Sequence, residues 1–433
     1  MRRWIGVRTL YQPRFRLLVI TSLLVLLAAY YAAWSLSNWI SLDAQALRFD
    51  FQSYFGGAQA AAQGADIYGE FKRTWGTQAW SVAYIYPPLF ALVLAPLTSL
   101  GLVAAGRIWL LIVHAAFLAS LWLLLRINPE LPPAGRRLFI AGALAFMPVY
   151  IDVKFQQVAS VWLLLLAASL WAALRRHPAA AGLFLALAAS LKVIPVFLVP
   201  LLVRLGRWRA ALSATALLGG LTAVTMAAAP GSWQFFTVVL PRIGLGNSNW
   251  DNASIDGLVS RFVALFPTAF GVFTVQVGEA VVATAALVVL SLTFWRSGLG
   301  GDRAWQLRLG TAATVTALLM VSSVTWQHHL VTLLLPLAVG MAWIAERRPD
   351  PRYGWTLALS YALCWIDRRV LPLPADQAVH SSGQAVLVLA GTSIKLIGLV
   401  LLWTLLLAML RQEARRVRLP RETSQGPPAR IAA

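Results

Sequence analysis

Long apolar segments separated by short polar or cationic stretches repeat along almost the whole chain. Most are long enough, or nearly long enough, for a helix to cross a bilayer core, which takes about 20 residues. The pattern therefore predicts an all-α, polytopic membrane protein with about twelve crossings. The predicted crossings cover residues 17–39, 107–125, 138–150, 157–174, 179–191, 193–203, 210–229, 277–295, 309–325, 329–345, 354–367 and 385–410.

Composition strengthens this interpretation and excludes others. Hydrophobic residues make up 59% of the 433 residues, and the mean hydropathy is +0.70, which no soluble core of this size would require. The alternating ten-residue segments of an outer-membrane barrel are not found. The single Cys364 excludes a disulfide framework and a cysteine-based zinc site. The first apolar run, about 17–39, is too long for a signal-peptide core and is interpreted as the first helix.

The net charge of +20 is explained by membrane topology and not by nucleic-acid binding. Lysine and arginine accumulate in the cytoplasmic loops of polytopic proteins. Placing every basic cluster inside puts both termini in the cytoplasm of a multi-pass plasma-membrane protein. It also leaves three polar stretches outside, at about residues 40–106, 230–276 and 368–384. The clusters used are Arg2–Arg16, Arg126–Arg137, Arg175–Arg176, Arg204–Arg209, Arg296–Arg308, Arg347–Arg352 and Arg411–Arg430.

The same topology predicts how the chain is organised. Residues 1–410 are expected to form a single transmembrane domain, in which the long first external loop, about 40–106, carries an acidic residue and an interfacial helix at Leu89–Leu100. Residues 411–433 are basic and contain proline, so we expect a disordered cytoplasmic tail.

An aspartate stands just beyond the first predicted helix, in Arg48-Phe49-Asp50-Phe51. A carboxyl group beside aromatic rings near the membrane surface can have a raised proton affinity and act as a general base. A helix cap or a salt bridge to Arg48 is the alternative role. The residue types alone do not decide between catalysis and structure.

Three further polar clusters fall on the same predicted side. Lys192 could bind a phosphate or extend to the membrane surface as an ordinary interfacial lysine. The stretch 247–257 could bind sugar hydroxyls, with Trp250 as a stacking face, or form only a turn and a helix cap. His328 and His329 could donate to a phosphate or be ordinary interfacial histidines. Adjacent histidines on a helix point about 100° apart, so one shared metal is not expected.

At these residues the chain resembles glycosyltransferase family 87 of the GT-C superfamily, the polyprenol-phosphate-mannose-dependent mannosyltransferases. The resemblance covers roughly residues 45–345 and rests on the order of short motifs. Phe155-Gln156-Gln157-Val158 departs from the family, where Gly-Gln is frequent, and this leaves the role of both glutamines open. The matching motifs are Asp50 to Tyr54, Gly64 to Tyr68, Tyr86-Pro87-Pro88-Leu89-Phe90, Ala95-Pro96-Leu97, Leu191-Lys192 with Pro195, Asn252-x-Ser254 with Gly257 and Arg261, and Trp326-x-His328-His329.

The resemblance implies an inverting transfer of mannose from a polyprenyl-phosphate donor to a glycolipid acceptor, such as a phosphatidylinositol mannoside, on the external face. Asp50 would be the catalytic base. The implied donor-phosphate ligands are His328, His329, Lys192 and Arg261. The implied sugar and acceptor ligands are Tyr54, Tyr86, Trp250, Asn252, Ser254 and Asp256. No metal ligand, cofactor or nucleic-acid partner is expected. Arabinofuranose transfer and lipid-linked sugar transport are the alternative functions.

Overall fold

The computed structural model describes residues 13–47, 50–77, 83–266, 274–367, 370, 371, 373, 379 and 381–418, and this part of the chain contains helices and no strand. The first half contains α1 (Pro13–Ile40), α2 (Asp50–Ala62), α3 (Gly69–Thr74), α4 (Pro88–Leu94), α5 (Leu102–Ile127), α6 (Pro133–Leu144), α7 (Met147–Lys154), α8 (Ala159–Leu174), α9 (Pro178–Leu191), α10 (Leu198–Arg204) and α11 (Trp208–Ala228). The second half contains α12 (Leu240–Ile243), α13 (Ile255–Leu265), α14 (Thr274–Ser297), α15 (Arg303–Val321), α16 (Leu334–Arg347), α17 (Arg352–Trp365), α18 (Ser382–Thr392) and α19 (Ile394–Arg418).

The all-helical prediction is confirmed, and the helices have the length and polarity of membrane spans. Six described helices are long and apolar enough to cross a bilayer, and α6 with α7, bent by 44°, would make a seventh. The prediction of about twelve crossings is not confirmed, since α8, α9 and α10 are shorter apolar helices. The predicted last crossing, 385–410, proves to be two helices, α18 and α19.

Local sequence explains several helix starts. Proline occupies the first turn of α4, α6, α7 and α9, where its missing N–H removes no intrahelical hydrogen bond. Ser254 and Asp302 cap α13 and α15, because their side-chain oxygens accept hydrogen bonds from backbone N–H groups of the first turn. These caps place polar side chains at the ends of the apolar segments.

The described residues between 42 and 110 form a folded layer. Their aromatic side chains form a core of their own, in which Phe51, Tyr68 and Phe90 are buried. Phe235 reaches the same core from beyond α11. The backbone at Gly57 lies so close to the Tyr84 ring that a Cβ there would be 2.5 Å from it. This part of the chain therefore covers one end of the helix bundle as a packed layer.

Basic residues from distant parts of the sequence meet at the opposite end. Arg204, at the end of α10, donates to the carbonyl oxygen of Gly298 at 3.4 Å. Burial, together with the neighbouring charges of Arg176 and Arg303, lowers the pKa of Arg207. Four arginines from separate parts of the sequence, Arg176, Arg204, Arg207 and Arg303, thus lie at this end of the bundle.

The predicted boundary at residue 411 needs correction, because α19 continues to Arg418. Glu413 is buried and accepts hydrogen bonds from Trp343 Nε1 at 2.9 Å and from Arg347 Nε at 2.8 Å. These bonds hold an additional two turns of helix against α16. Residues 419–433, the rest of the predicted tail, lie outside the described residues.

Candidate functional site

A glutamine joins the predicted acid to two tyrosines. Gln157 Oε1 accepts from the Tyr54 hydroxyl at 2.9 Å and from the Tyr86 hydroxyl at 3.2 Å. With its oxygen engaged by hydroxyls, the amide nitrogen is the atom that donates to the Asp50 carboxylate. Asp50 is the first residue of α2, and Tyr54 lies one turn further on. The structure therefore brings together three predicted site residues through Gln157, whose role the sequence left open.

Lys192 brings the second half of the site to the same place. It follows α9 directly, and its Nζ makes a close contact with Nε2 of His329. Two aromatic rings flank the ammonium, with Nζ at 5.5 Å from the centroid of Tyr86 and 5.9 Å from that of Trp162. Aromatic faces attract cations, so this position favours a charged lysine in otherwise apolar surroundings. Tyr86 thus contacts both the Gln157 network and the lysine.

His328 stands beside this pair. Its ring lies 4.5 Å from the ring of His329, nearly perpendicular to it. His328 is buried, and its Nε2 atom has no hydrogen-bond partner within the described part of the chain. Buried polar atoms are almost always paired, so an unpaired ring nitrogen in a site is open for a ligand. The segment that carries both histidines is the 3-10 helix Gln327–Leu333, which runs into α16.

Charge and burial act against each other in this site. Burial raises the pKa of the Asp50 carboxyl, while the hydrogen bond from Gln157 and the charge of Lys192 act in the opposite direction. Burial also lowers the pKa of the Lys192 ammonium, and the carboxylates of Asp50 and Asp152 raise it. A raised proton affinity suits a carboxylate that must take a proton from a hydroxyl near neutral pH.

The turn before α8 positions Gln157. Asp152 is fully buried and accepts hydrogen bonds from the backbone N–H groups of Ala159 and Ser160 and from the Ser160 hydroxyl at 2.6 Å. Gln156 has a φ of +48°, an unusual conformation for a residue with a side chain. The left-handed residue turns the chain sharply, and Gln157 consequently faces α2.

Asn252 connects a second polar segment to the histidines. Its Nδ2 donates to the Ser323 carbonyl at 2.9 Å, and its Oδ1 accepts from the Thr325 N–H at 2.9 Å. Ser254 also donates to Asn252 Oδ1, at 2.8 Å, in addition to capping α13. The polar atoms of both residues thus bond to protein groups. This arrangement corresponds to the turn-and-cap alternative and fixes the chain just before His328.

The remaining predicted ligands belong to that second segment and not to the Lys192 pair. Arg261 is buried, and its Nη1 donates to the carbonyl oxygens of Asn249 and Asn252 at 2.9 and 2.7 Å. Its Nε and Nη2 atoms have no hydrogen-bond partner among the described residues. Asp256 accepts from Ser260 at 2.9 Å, and Trp250 is buried.

An apolar groove opens beside the site. Pro87 and Val193, which line it, directly follow Tyr86 and Lys192 in the sequence. The other walls come from α11 and the segment after it, including Leu221 and Phe236. The groove therefore extends from the lysine along hydrocarbon-like side chains. Within the described residues, no three His, Cys, Asp or Glu side chains group in a way that could hold a metal ion.

The sequence profile of glycosyltransferase family 87 matches residues 84–323. A polyprenol-phosphate-mannose-dependent alpha-(1-2)-phosphatidylinositol mannoside mannosyltransferase of Mycolicibacterium smegmatis is 30% identical over 75% of this chain and 76% of its own length. A protein of the same description from Mycobacterium tuberculosis is 29% identical over 72% and 73%. A phosphatidylinositol pentamannoside mannosyltransferase of Mycobacterium tuberculosis is 26% identical over 73% and 72%.

Proposed function

The chain belongs to glycosyltransferase family 87, and from that membership we propose that it transfers mannose from a polyprenyl-phosphate carrier to a phosphatidylinositol mannoside or a similar glycolipid. The observation that carries the proposal is the meeting of Asp50 with Lys192 and His329 across the Tyr54–Tyr86–Gln157 network. A carboxyl group and a lysine–histidine pair in one partly apolar site match the two ends of a glycosyl transfer from a phosphate.

The proposed reaction is a single displacement. Asp50 takes the proton of an acceptor hydroxyl while that oxygen forms a bond to the anomeric carbon. The bond between the anomeric carbon and the phosphate oxygen breaks, and its electron pair leaves with polyprenyl phosphate. Attack opposite the leaving group inverts the anomeric centre. Transfer from the lipid phosphate needs no nucleotide.

Lys192 and the histidines would stabilise the departing phosphate. Negative charge grows on that group during bond breaking, so fixed donors help the transition state more than the bound donor. The arriving phosphate also favours the charged form of Lys192, which burial alone disfavours. The groove beside Lys192, with walls that include Leu221 and Phe236, suits the prenyl chain of the donor. Arg261, two of whose nitrogens have no hydrogen-bond partner among the described residues, remains a proposed further phosphate ligand.

Asp50→Asn tests the role of the base. Asparagine keeps the shape of the side chain but cannot take a proton, so transfer should fall about 10²–10⁴-fold while donor binding persists. The measurement is the mass of products from purified full-length protein incubated with polyprenyl-phosphate mannose and phosphatidylinositol mannosides. Asp43→Asn is the matched control, because Asp43 is exposed and caps a nearby turn. If the Asp50→Asn variant transferred mannose at a rate within a few-fold of the unaltered protein, Asp50 would not be the catalytic base. If product formed only with a polyprenyl-phosphate arabinofuranose donor, the proposal that mannose is the transferred sugar would be wrong.

The pH dependence of the transfer rate tests the hydrogen bond from Gln157 to Asp50. The base acts in its ionised form, so activity should fall as the pH drops below the Asp50 pKa. Gln157→Leu removes a hydrogen bond that favours the ionised form, and the Asp50 pKa should then rise further. The acid limb of the rate profile should consequently move to higher pH. Gln59→Leu, an exposed change on the same helix, should leave the limb in place. An unmoved limb in Gln157→Leu would show that the glutamine only packs.

Separate measurements of turnover and donor affinity test the phosphate contacts. Lys192→Gln and His329→Ala should each lower turnover by about 10²–10³-fold and weaken donor binding much less. Lys154→Gln, which alters an exposed lysine nearby, should change neither quantity. If both site variants lost donor affinity while turnover stayed unchanged, the groups would bind the donor without assisting the departure of its phosphate.

We place the site on the external face, because the arginine-rich end of the bundle lies opposite and arginines favour the cytoplasmic side. The experiment is cysteine labelling in a Cys364→Ala background, with Ala60→Cys near the site and Arg209→Cys at the other end. An impermeant reagent added to intact cells should modify position 60 and not position 209. The reverse result would invert the orientation.

A further inference from the structure

A second cavity lies at the arginine-rich end, far from Asp50. It has a volume of about 330 Å³ and is lined by Trp295, Arg296, Leu299, Arg411, Ala414 and Arg415. Three of the six residues are arginines, and none of the described residues that line it is acidic. The nearby Glu413 points away, because it is buried against Trp343 and Arg347. The cavity thus holds positive charge that no carboxylate among the described residues neutralises.

The position of the cavity coincides with the boundary of the apolar surface. The apolar run of α19 ends at Leu410, and Arg411 follows it directly. On α14 the exposed Trp295 precedes Arg296, whose guanidinium lies 4.7 Å from the Trp295 ring centroid. Tryptophan next to arginine is typical of the membrane–water interface. The three guanidiniums therefore stand at the depth of lipid phosphate groups.

An apolar stripe on α14 leads from the cavity along the membrane-facing surface. Val281, Val288 and Trp295 are exposed and spaced by seven residues, so they lie on one side of α14. Beside them, α19 is held to α14 by a hydrogen bond of 2.8 Å from Trp403 Nε1 to the Thr293 hydroxyl. A molecule with an anionic head in the cavity could thus lay a hydrocarbon chain along the stripe.

We propose that this cavity binds the headgroup of an anionic phospholipid, a site separate from the donor and acceptor sites and independent of the proposed reaction. Guanidinium groups bind phosphate oxygens through paired hydrogen bonds. A zwitterionic headgroup would bring its own cation towards three arginines and bind less well. A free phosphate lacks the chain that the stripe on α14 would contact.

The test is lipid binding to the purified full-length protein in detergent, measured by native mass spectrometry with phosphatidylglycerol and phosphatidylcholine. Phosphatidylglycerol should bind about tenfold tighter or more. The triple change Arg296→Gln, Arg411→Gln and Arg415→Gln should remove that preference. If this variant does not fold, the corresponding triple change to lysine should keep a reduced preference, because the charge remains but the paired bonds are lost. Lysine variants with unchanged affinity would contradict recognition by guanidinium groups.

A matched control variant distinguishes lipid binding in this cavity from attraction to any group of positive charges. Arg126, Arg175 and Arg209 lie at the same end, and each packs over its own tryptophan, outside the cavity. Their triple change to glutamine should leave the preference for phosphatidylglycerol unchanged. An equal loss in the control, or no preference in the unaltered protein, would overturn the proposal. Displacement of the lipid by inorganic phosphate at millimolar concentration would assign the cavity to a soluble anion and reject the lipid.

Discussion

The site depends on the balance that sets the charge of one lysine where little water reaches it: burial lowers the pKa of Lys192 to about 7, and two carboxylates act in the opposite direction. An isolated ammonium group in apolar surroundings is costly and tends to lose its proton. Around Lys192 the chain supplies the faces of Tyr86 and Trp162, and the negative charges of Asp50 and Asp152. These groups come from four separate parts of the sequence. Much of the local fold holds these groups around Lys192, from the hydrogen bonds that Asp152 accepts at the start of α8 to the folded layer above it.

The second polar segment acts through the backbone. Asn252 bonds to the carbonyl of Ser323 and the N–H of Thr325, so it fixes the backbone of the turn that precedes the histidines. Gln327 continues the connection by donating to Asp251 at 2.9 Å. Changes in residues 247–257 can therefore alter His328 and His329 without any contact between that segment and a sugar.

The apolar runs and the basic clusters predicted the helical class and one polar end. Five of the predicted site residues lie close together there, because successive apolar helices bring the chain back to the same end of the bundle: Asp50, Tyr54, Tyr86, Lys192 and His329. Their roles stay a prediction. The link through Gln157 could not be predicted, since a hydrogen bond between residues 103 positions apart leaves no local pattern. Within the described residues between 42 and 110, the helix predicted at Leu89–Leu100 is present as α4 and the 3-10 helix Ala95–Leu100. The packing around it was not predicted, because the apolar pieces there are too short to be recognised as spans.

The packed layer over the site has a consequence for what else could react. Tyr54 is fully buried, and the Gln157 amide is occupied by two hydroxyls and the Asp50 carboxylate. Water is therefore poorly placed to serve as the competing nucleophile. Such shielding would limit hydrolysis of the activated sugar during the interval between donor binding and acceptor arrival. If the chain has the proposed function, a loaded donor would then be consumed by transfer to the acceptor and not by water.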